Sequence, residues 1–323
     1  MQTRTAILPA ILLLGLGAAR AGATPCDNGW LFTYKWIPSA SGQDSRGDCT
    51  SPPGASYFNC TQTRVQLQGW FYYPTTPKPA GGYPVIIYNH GSEDMATSGS
   101  SGAKKCPIVN YFVPKGFVVF VPHRRGHGES TGIMFDAWED MWLDLYCPGS
   151  ICTSSMRQAF KDSIRTSYLQ DQANDVKDAW TFLQGFPDIN QNKLAIMGHS
   201  FGGVVTLFTN QTDLGQKAAI DLCGASEQWS TFPTLDAALF DAVDHFKTRV
   251  FFAQPHNDVN ISPTIELSHE AGLVDMRFQA TIYPDVPGAT TGQQAHSQFV
   301  TDSSQIDIWG PGALDFMARF GVK

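Results

Sequence analysis

Lys193-Leu-Ala-Ile-Met-Gly-His-Ser-Phe-Gly-Gly-Val-Val-Thr-Leu-Phe208 sets an apolar, strand-like run directly against a helix-compatible run, with Ser200 between Gly198 and Gly202 at the junction. A chain that turns sharply from strand into helix has no space for side chains on either side of the turning residue, which gives both glycines a steric reason. The turn presents the serine hydroxyl above the sheet, and the following helix contributes free backbone N–H groups and a partial positive charge near it. Ser200 is therefore a candidate nucleophile in the Gly-x-Ser-x-Gly setting of strand, turn and helix. The alternative is a plain glycine-rich turn.

Working outward, short apolar runs recur on both sides of this stretch. Val65–Tyr73, Pro84–Tyr88, Phe117–Val121, Lys193–Met197, Ala218–Leu222, Arg249–Ala253 and Phe278–Tyr283 read as strands, several with the unbroken hydrophobicity of strands buried on both faces. Between them, Tyr168–Leu183, Gly203–Thr209, Leu235–Phe246, Pro263–Ala271 and a last stretch near Ala313–Phe320 read as helices. Strands alternating with helices at this spacing predict an α/β fold, a mostly parallel central sheet with helices on both faces. No internal repeat or low-complexity linker interrupts it, so residues 64–323 are expected to form one domain.

A serine hydroxyl needs a base to take its proton, and the base needs a carboxylate to orient it. In open α/β sheets such groups sit beyond the carboxyl ends of strands. Asp258 follows the run Arg249–Ala253, and His296 follows Phe278–Tyr283 across a glycine-bearing loop. Ser200, Asp258 and His296 thus occur in the chain order Ser, Asp, His, each just past a strand. Asp285 and Asp221 are rival acids; the first shares a loop with its histidine and the second lies inside a strand.

Two further motifs follow strands: Asn89-His-Gly-Ser92 and His123-Arg-Arg-Gly-His-Gly-Glu-Ser130. With the Ser200 turn, the Asp258 loop and Ala295-His296, they make the chain resemble the α/β-hydrolases, and within them the dienelactone hydrolase-like serine esterases, over roughly residues 64–320. The resemblance implies an α/β-hydrolase fold. It also implies an oxyanion hole formed by the backbone N–H groups of Ser92 and Phe201. The namesake enzymes use cysteine as nucleophile, so Ser200 points to their esterase-like relatives. The implied chemistry is two-step acyl transfer on a small-molecule carboxylic ester, with no cofactor and no metal. A peptidase or amidase of the prolyl oligopeptidase type is the alternative, although its usual propeller or large cap has no room here. A non-catalytic binding protein on the same scaffold is the third reading.

Residues 133–160 form an insertion. Met134, Trp138, Met141, Trp142 and Leu145 recur at helical spacing there, and Trp138, Met141 and Trp142 are candidates for a lid or acyl-binding wall. Sealing of the core is the competing reading. Among the other histidines, His90 is expected to support the oxyanion loop, and His123, His127, Arg124, Arg125 and Glu129 to shape theirs. His199 is expected to point away from the reaction as the middle residue of the turn.

The 323 residues are 42% hydrophobic and 16% charged, which excludes disordered and coiled-coil classes. A net charge of −7 argues against nucleic acid as a partner. Residues 1–23 read as a signal peptide: Arg4, an apolar run from Ile7 to Leu16, then small residues that allow cleavage near Ala21 or Ala23. That run is too short for a stable membrane anchor. The expected location is therefore secreted or periplasmic. Seven cysteines agree, with Cys147–Cys152 the easiest local bridge, Cys49–Cys60 a second, and Cys223 the expected free thiol. Residues 24–63 are expected to be an irregular, cysteine-bearing extension.

Overall fold

The structure, a computed structural model, describes residues 25–37, 49–50, 59–60, 65–92, 105–128, 130–131, 135–274 and 278–323. The expectations for residues 1–23 lie outside these.

The described residues contain ten strands: β1 (Trp30–Ile37), β2 (Cys49–Thr50), β3 (Asn59–Cys60), β4 (Val65–Tyr72), β5 (Tyr83–Asn89), β6 (Val118–His123), β7 (Ile189–His199), β8 (Ala218–Leu222), β9 (Val250–Pro255) and β10 (Phe278–Tyr283). Eight of them form one sheet in the order β1-β4-β6-β5-β7-β8-β9-β10. The first two pairings are antiparallel and the rest parallel. The helices are α1 (Cys106–Phe112), α2 (Phe135–Tyr146), α3 (Ser154–Leu183), α4 (Phe201–Asn210), α5 (Pro233–Asp244), α6 (Ser262–Leu273), α7 (Gly292–Thr301) and α8 (Ser303–Arg319).

Strands β5, β6, β8 and β9 are buried along their whole length, because helices cover both faces. The period of two sorts their side chains. Val85 and Ile87 of β5 join Leu169, Val176, Val204, Leu235 and Leu267 in one core, under α3, α4, α5 and α6. Ile86 and Tyr88 join Phe112, Phe299, Ile306 and Trp309 in the other, under α1, α7 and α8. The expected α/β architecture is present.

Four features differ from the sequence reading. Trp30–Ile37 is not irregular; it is the edge strand, paired with β4. Its register shifts between Thr33 and Lys35, and such a bulge hides a strand from a period-two search. Helix α3 begins fourteen residues before Tyr168, at Ser154, with the Thr153 side chain accepting from the Met156 N–H. Helix α8 begins at Ser303 and runs through Pro311. The stretch Gly292–Thr301, not among the helices read from the sequence, forms α7, and His296 sits inside it.

The bridge Cys147–Cys152 is formed, and Cys26 pairs with Cys106. Cys223 is a free, buried thiol. Cys49 and Cys60 stand opposite each other in the β2–β3 ladder. Among the described residues, no helix is long and apolar enough to cross a membrane.

Candidate active site

Strand β7 ends at His199 and α4 starts at Phe201, leaving Ser200 as the whole turn. Its backbone has φ 55° and ψ −121°, a strained combination for a residue with a Cβ. Close packing holds it there. A Cβ on Gly198 would stand 2.1 Å from the Gly202 carbonyl oxygen, and one on Gly202 would stand 2.1 Å from that of Asn89. The Ser200 N–H is donated to the Leu222 carbonyl at 2.9 Å, tying the turn to β8. Ser200 is 3% exposed.

His296, from α7, meets Asp258, from the loop after β9: the imidazole Nδ1 is 2.9 Å from Oδ1. The carboxylate takes three further donors. Val259 N–H and the Ser226 hydroxyl reach Oδ1 at 2.6 and 2.9 Å, and Gln254 Nε2 reaches Oδ2 at 2.9 Å. Burial pushes the Asp258 carboxyl upward, but the donated bond and charge of His296, with Gln254 and Val259, outweigh it and hold the group below its ordinary value. Asp258 accepting from Nδ1 leaves Nε2 as the basic nitrogen of His296.

The imidazole is brought to the elbow through His199. That residue's Nε2 lies 3.0 Å from the His296 carbonyl, so it donates, and the two rings are 4.7 Å apart. His199 is thus a neighbour of the histidine, not a side chain turned away from it. At the carboxyl edge of the sheet His296 thus meets Asp258 on one side and packs on His199, the residue before Ser200, on the other.

The rival acids are separated by the same geometry. Asp285 bonds His256 in an exposed pair at 2.9 Å. Asp221 is buried under the elbow, where burial drives its carboxyl up to about 7 against the opposing pull of the Gly224 N–H and of His296.

The chain after β5 leads through His90 and Gly91 to Ser92; the Asn89 and His90 carbonyls lie where a Gly202 Cβ would fall. Arg124 donates Nη2 to the His90 carbonyl at 2.8 Å and Nε to Gln172 at 2.7 Å. The His90 Nδ1 donates to the Gly91 carbonyl at 2.8 Å. Burial, then the charges of Arg124, His127, His123 and Lys105, hold the His90 imidazole well below its usual range, hence neutral. Each trans peptide directs its N–H opposite its carbonyl, so tying the Gly91 carbonyl back to the imidazole turns the Ser92 N–H away from it. Phe201 is the first residue of α4, where its N–H has no intrahelical acceptor.

Of the expected pocket residues, Met141 and Trp142 pack on the core below α3 and α4, with Trp142 also stacked on Tyr146 at 4.9 Å. The Trp138 side chain lies outside what is described. Phe135 of α2 does reach the elbow, 5.5 Å from the Phe201 ring. Arg165 lies over the rings of Phe135 and Phe232 and pairs with Glu139, which also bonds Lys161. Sequence reading missed Ser226 and Gln254, which are polar residues near strand ends with no motif around them.

The model of the prolyl oligopeptidase peptidase family matches residues 152–229, a segment containing Ser200. No curated protein matches the chain in sequence. Among solved structures, the Pyrococcus horikoshii acylaminoacyl peptidase aligns with a TM-score of 0.53 at 14% identity, over 90% of this chain and 42% of its own. A puromycin-hydrolysing peptidase of Mycobacterium tuberculosis gives 0.52 at 18%, over 89% and 40%. The chain therefore spans about two fifths of these peptidases' length. A Pyrococcus furiosus esterase gives 0.51 at 15%, over 88% of this chain and 92% of its own. The family match supports a serine hydrolase, and with this sheet order and these neighbours the chain has the α/β-hydrolase fold.

Proposed function

We propose that this protein is a serine hydrolase that cleaves carboxylic esters through an acyl-enzyme. The observation that carries the reading is the strained Ser200 elbow standing beside an imidazole whose Nδ1 is fixed by a buried carboxylate. In this scheme His296 Nε2 takes the Ser200 proton as Oγ attacks the ester carbonyl. The N–H groups of Ser92 and Phe201 stabilise the tetrahedral oxyanion, each donor contributing ~3–4 kcal/mol as in comparable sites. His296 returns the proton to the leaving alcohol, then activates a water that releases the acid. Each step needs only these side chains and amides.

The ester reading is supported by the esterase neighbour, which matches over nearly its full length. The peptidase-family match favours amide cleavage as the second reading. Pre-steady-state hydrolysis of p-nitrophenyl acetate and butyrate tests the first. A nitrophenol burst followed by turnover, lost in Ser200→Ala, is the expected result. Hydrolysis unchanged in Ser200→Ala would remove the nucleophile assigned here. Cleavage of p-nitroanilides faster than of the esters would move the assignment to the peptidases.

We infer that the protein works outside the reducing cytoplasm, which the Cys26–Cys106 and Cys147–Cys152 bridges support. The expected leader predicts a mature N-terminus near Ala21 or Ala23, to be read by mass spectrometry of the exported protein.

A further inference from the structure

The turn after β8 is built at a cost in backbone strain. Cys223 and Ala225 both hold positive φ, 59° and 60°, although neither is glycine, and such angles persist only where surrounding structure imposes them. The Cys223 N–H is donated to the Ala253 carbonyl at 3.0 Å. The Asp221 carboxyl caps the Gly224 N–H at 3.0 Å. The strained turn delivers Ser226, 2% exposed, to the triad acid thirty-two residues further along the chain.

Counting protons assigns the direction of its bond. Ser226 Oγ lies 2.9 Å from Asp258 Oδ1, 3.0 Å from the Asn260 carbonyl and 3.1 Å from the Asn260 N–H. The N–H occupies a lone pair of the hydroxyl. The Asn260 carbonyl already receives Gln254 Nε2 at 2.8 Å. The single hydroxyl proton therefore goes to the carboxylate, where a charged acceptor makes the stronger bond.

We propose that Ser226 is a positioning residue for the hydrolysis assigned above: its hydroxyl fixes the Asp258 carboxylate so that Oδ1 meets His296 Nδ1. This inference rests on that assignment for its kinetic consequence, but not for its geometry. The titratable groups packed around the pair are Asp221, Cys223 and His199. Removing one donor leaves more charge on the carboxylate for the imidazolium, so His296 should protonate at higher pH.

The test compares Ser226→Ala and Ser226→Cys with the parent protein. Active sites are titrated with a fluorophosphonate, then kcat/KM for p-nitrophenyl butyrate is followed against pH. Ser226→Ala is expected to lose about tenfold in kcat at unchanged KM, with its acid limb moved to higher pH. Ser226→Cys, which keeps volume and a weak donor, should fall between. The downfield proton resonance of His296 Nδ1–H should move in the same order, a readout independent of turnover. Wild-type kcat per titrated site, with an unmoved acid limb and resonance, would overturn the proposal even if the variant melted lower. A parent protein that neither hydrolyses esters nor reacts with the fluorophosphonate would instead overturn the hydrolase reading, while the resonance would still decide the role of Ser226.

Discussion

Asp221→Asn should stabilise this protein in a pH-dependent way. The wild-type carboxyl is 1% exposed, its Oδ1 takes the Gly224 N–H, and its Oδ2 has no hydrogen-bond partner among the described residues. Folding raises its pKa from 3.8 to about 7. Between those values the folded state keeps a proton that the unfolded chain has lost, so stability falls as pH rises. At ~1.4 kcal/mol per unit, a shift of about three units amounts to ~4 kcal/mol, of which ~2.5 kcal/mol falls between pH 5 and 8. Asparagine keeps the Oδ1 acceptor for Gly224 and cannot ionise. Urea denaturation of both proteins at pH 5 and pH 8 measures the difference. Asp221→Asn should gain ~2–3 kcal/mol on the parent between the two conditions. An Asp221→Asn advantage equal at both pH values would show that the buried carboxyl does not titrate in this window, and the reasoning would fail.

Asp258→Asn should lower kcat by about 10³–10⁴, because an amide N–H facing Nδ1 selects the wrong imidazole tautomer; the rate of fluorophosphonate labelling should fall with it. Gly202→Ala should cost several kcal/mol or prevent folding, since the new methyl would meet the backbone oxygens of Asn89 and His90 at 2.1 and 2.4 Å; soluble yield and melting temperature report it. Loss of the Cys26–Cys106 bridge, which closes a separation of 80 residues, should cost ~4–5 kcal/mol in the chain-entropy account, against ~2 kcal/mol for the five-residue Cys147–Cys152 separation. Denaturation of Cys26→Ala/Cys106→Ala and Cys147→Ala/Cys152→Ala double variants ranks them.

The elbow was legible because its requirement is local and steric: two glycines flank one serine, and any Cβ there strikes backbone. Asp258 and His296 were legible through topology, since each follows a strand whose apolar run is unmistakable. Their exact supports were not. Ser226 and Gln254 act only after the sheet has brought β8, β9 and the following loops together, and no local pattern encodes that. Strand β1 was missed because its bulge at Thr33 and Lys35 breaks the alternation. The start of α3 was missed because Ser154–Ala159 face solvent and carry no apolar stripe; only the Thr153 cap marked it. Helix α7 did leave a local signal. Thr291 accepts from the Gln294 N–H while Gln294 Oε1 receives the Thr290 N–H, a near capping box written in the sequence.

Helix α2 is fastened to the body by Glu139 between Lys161 and Arg165, by Phe135 against Phe201, by the buried Leu143, and by Met141 and Trp142 on the core. None of the donors that hold Asp258 comes from it. The segment facing the elbow and the machinery that orients the imidazole are thus separable modules. Exchanging the exposed residues of α2, while keeping Phe135, Glu139, Met141, Trp142 and Leu143, should leave the Asp258–His296 pair and its donors as they stand.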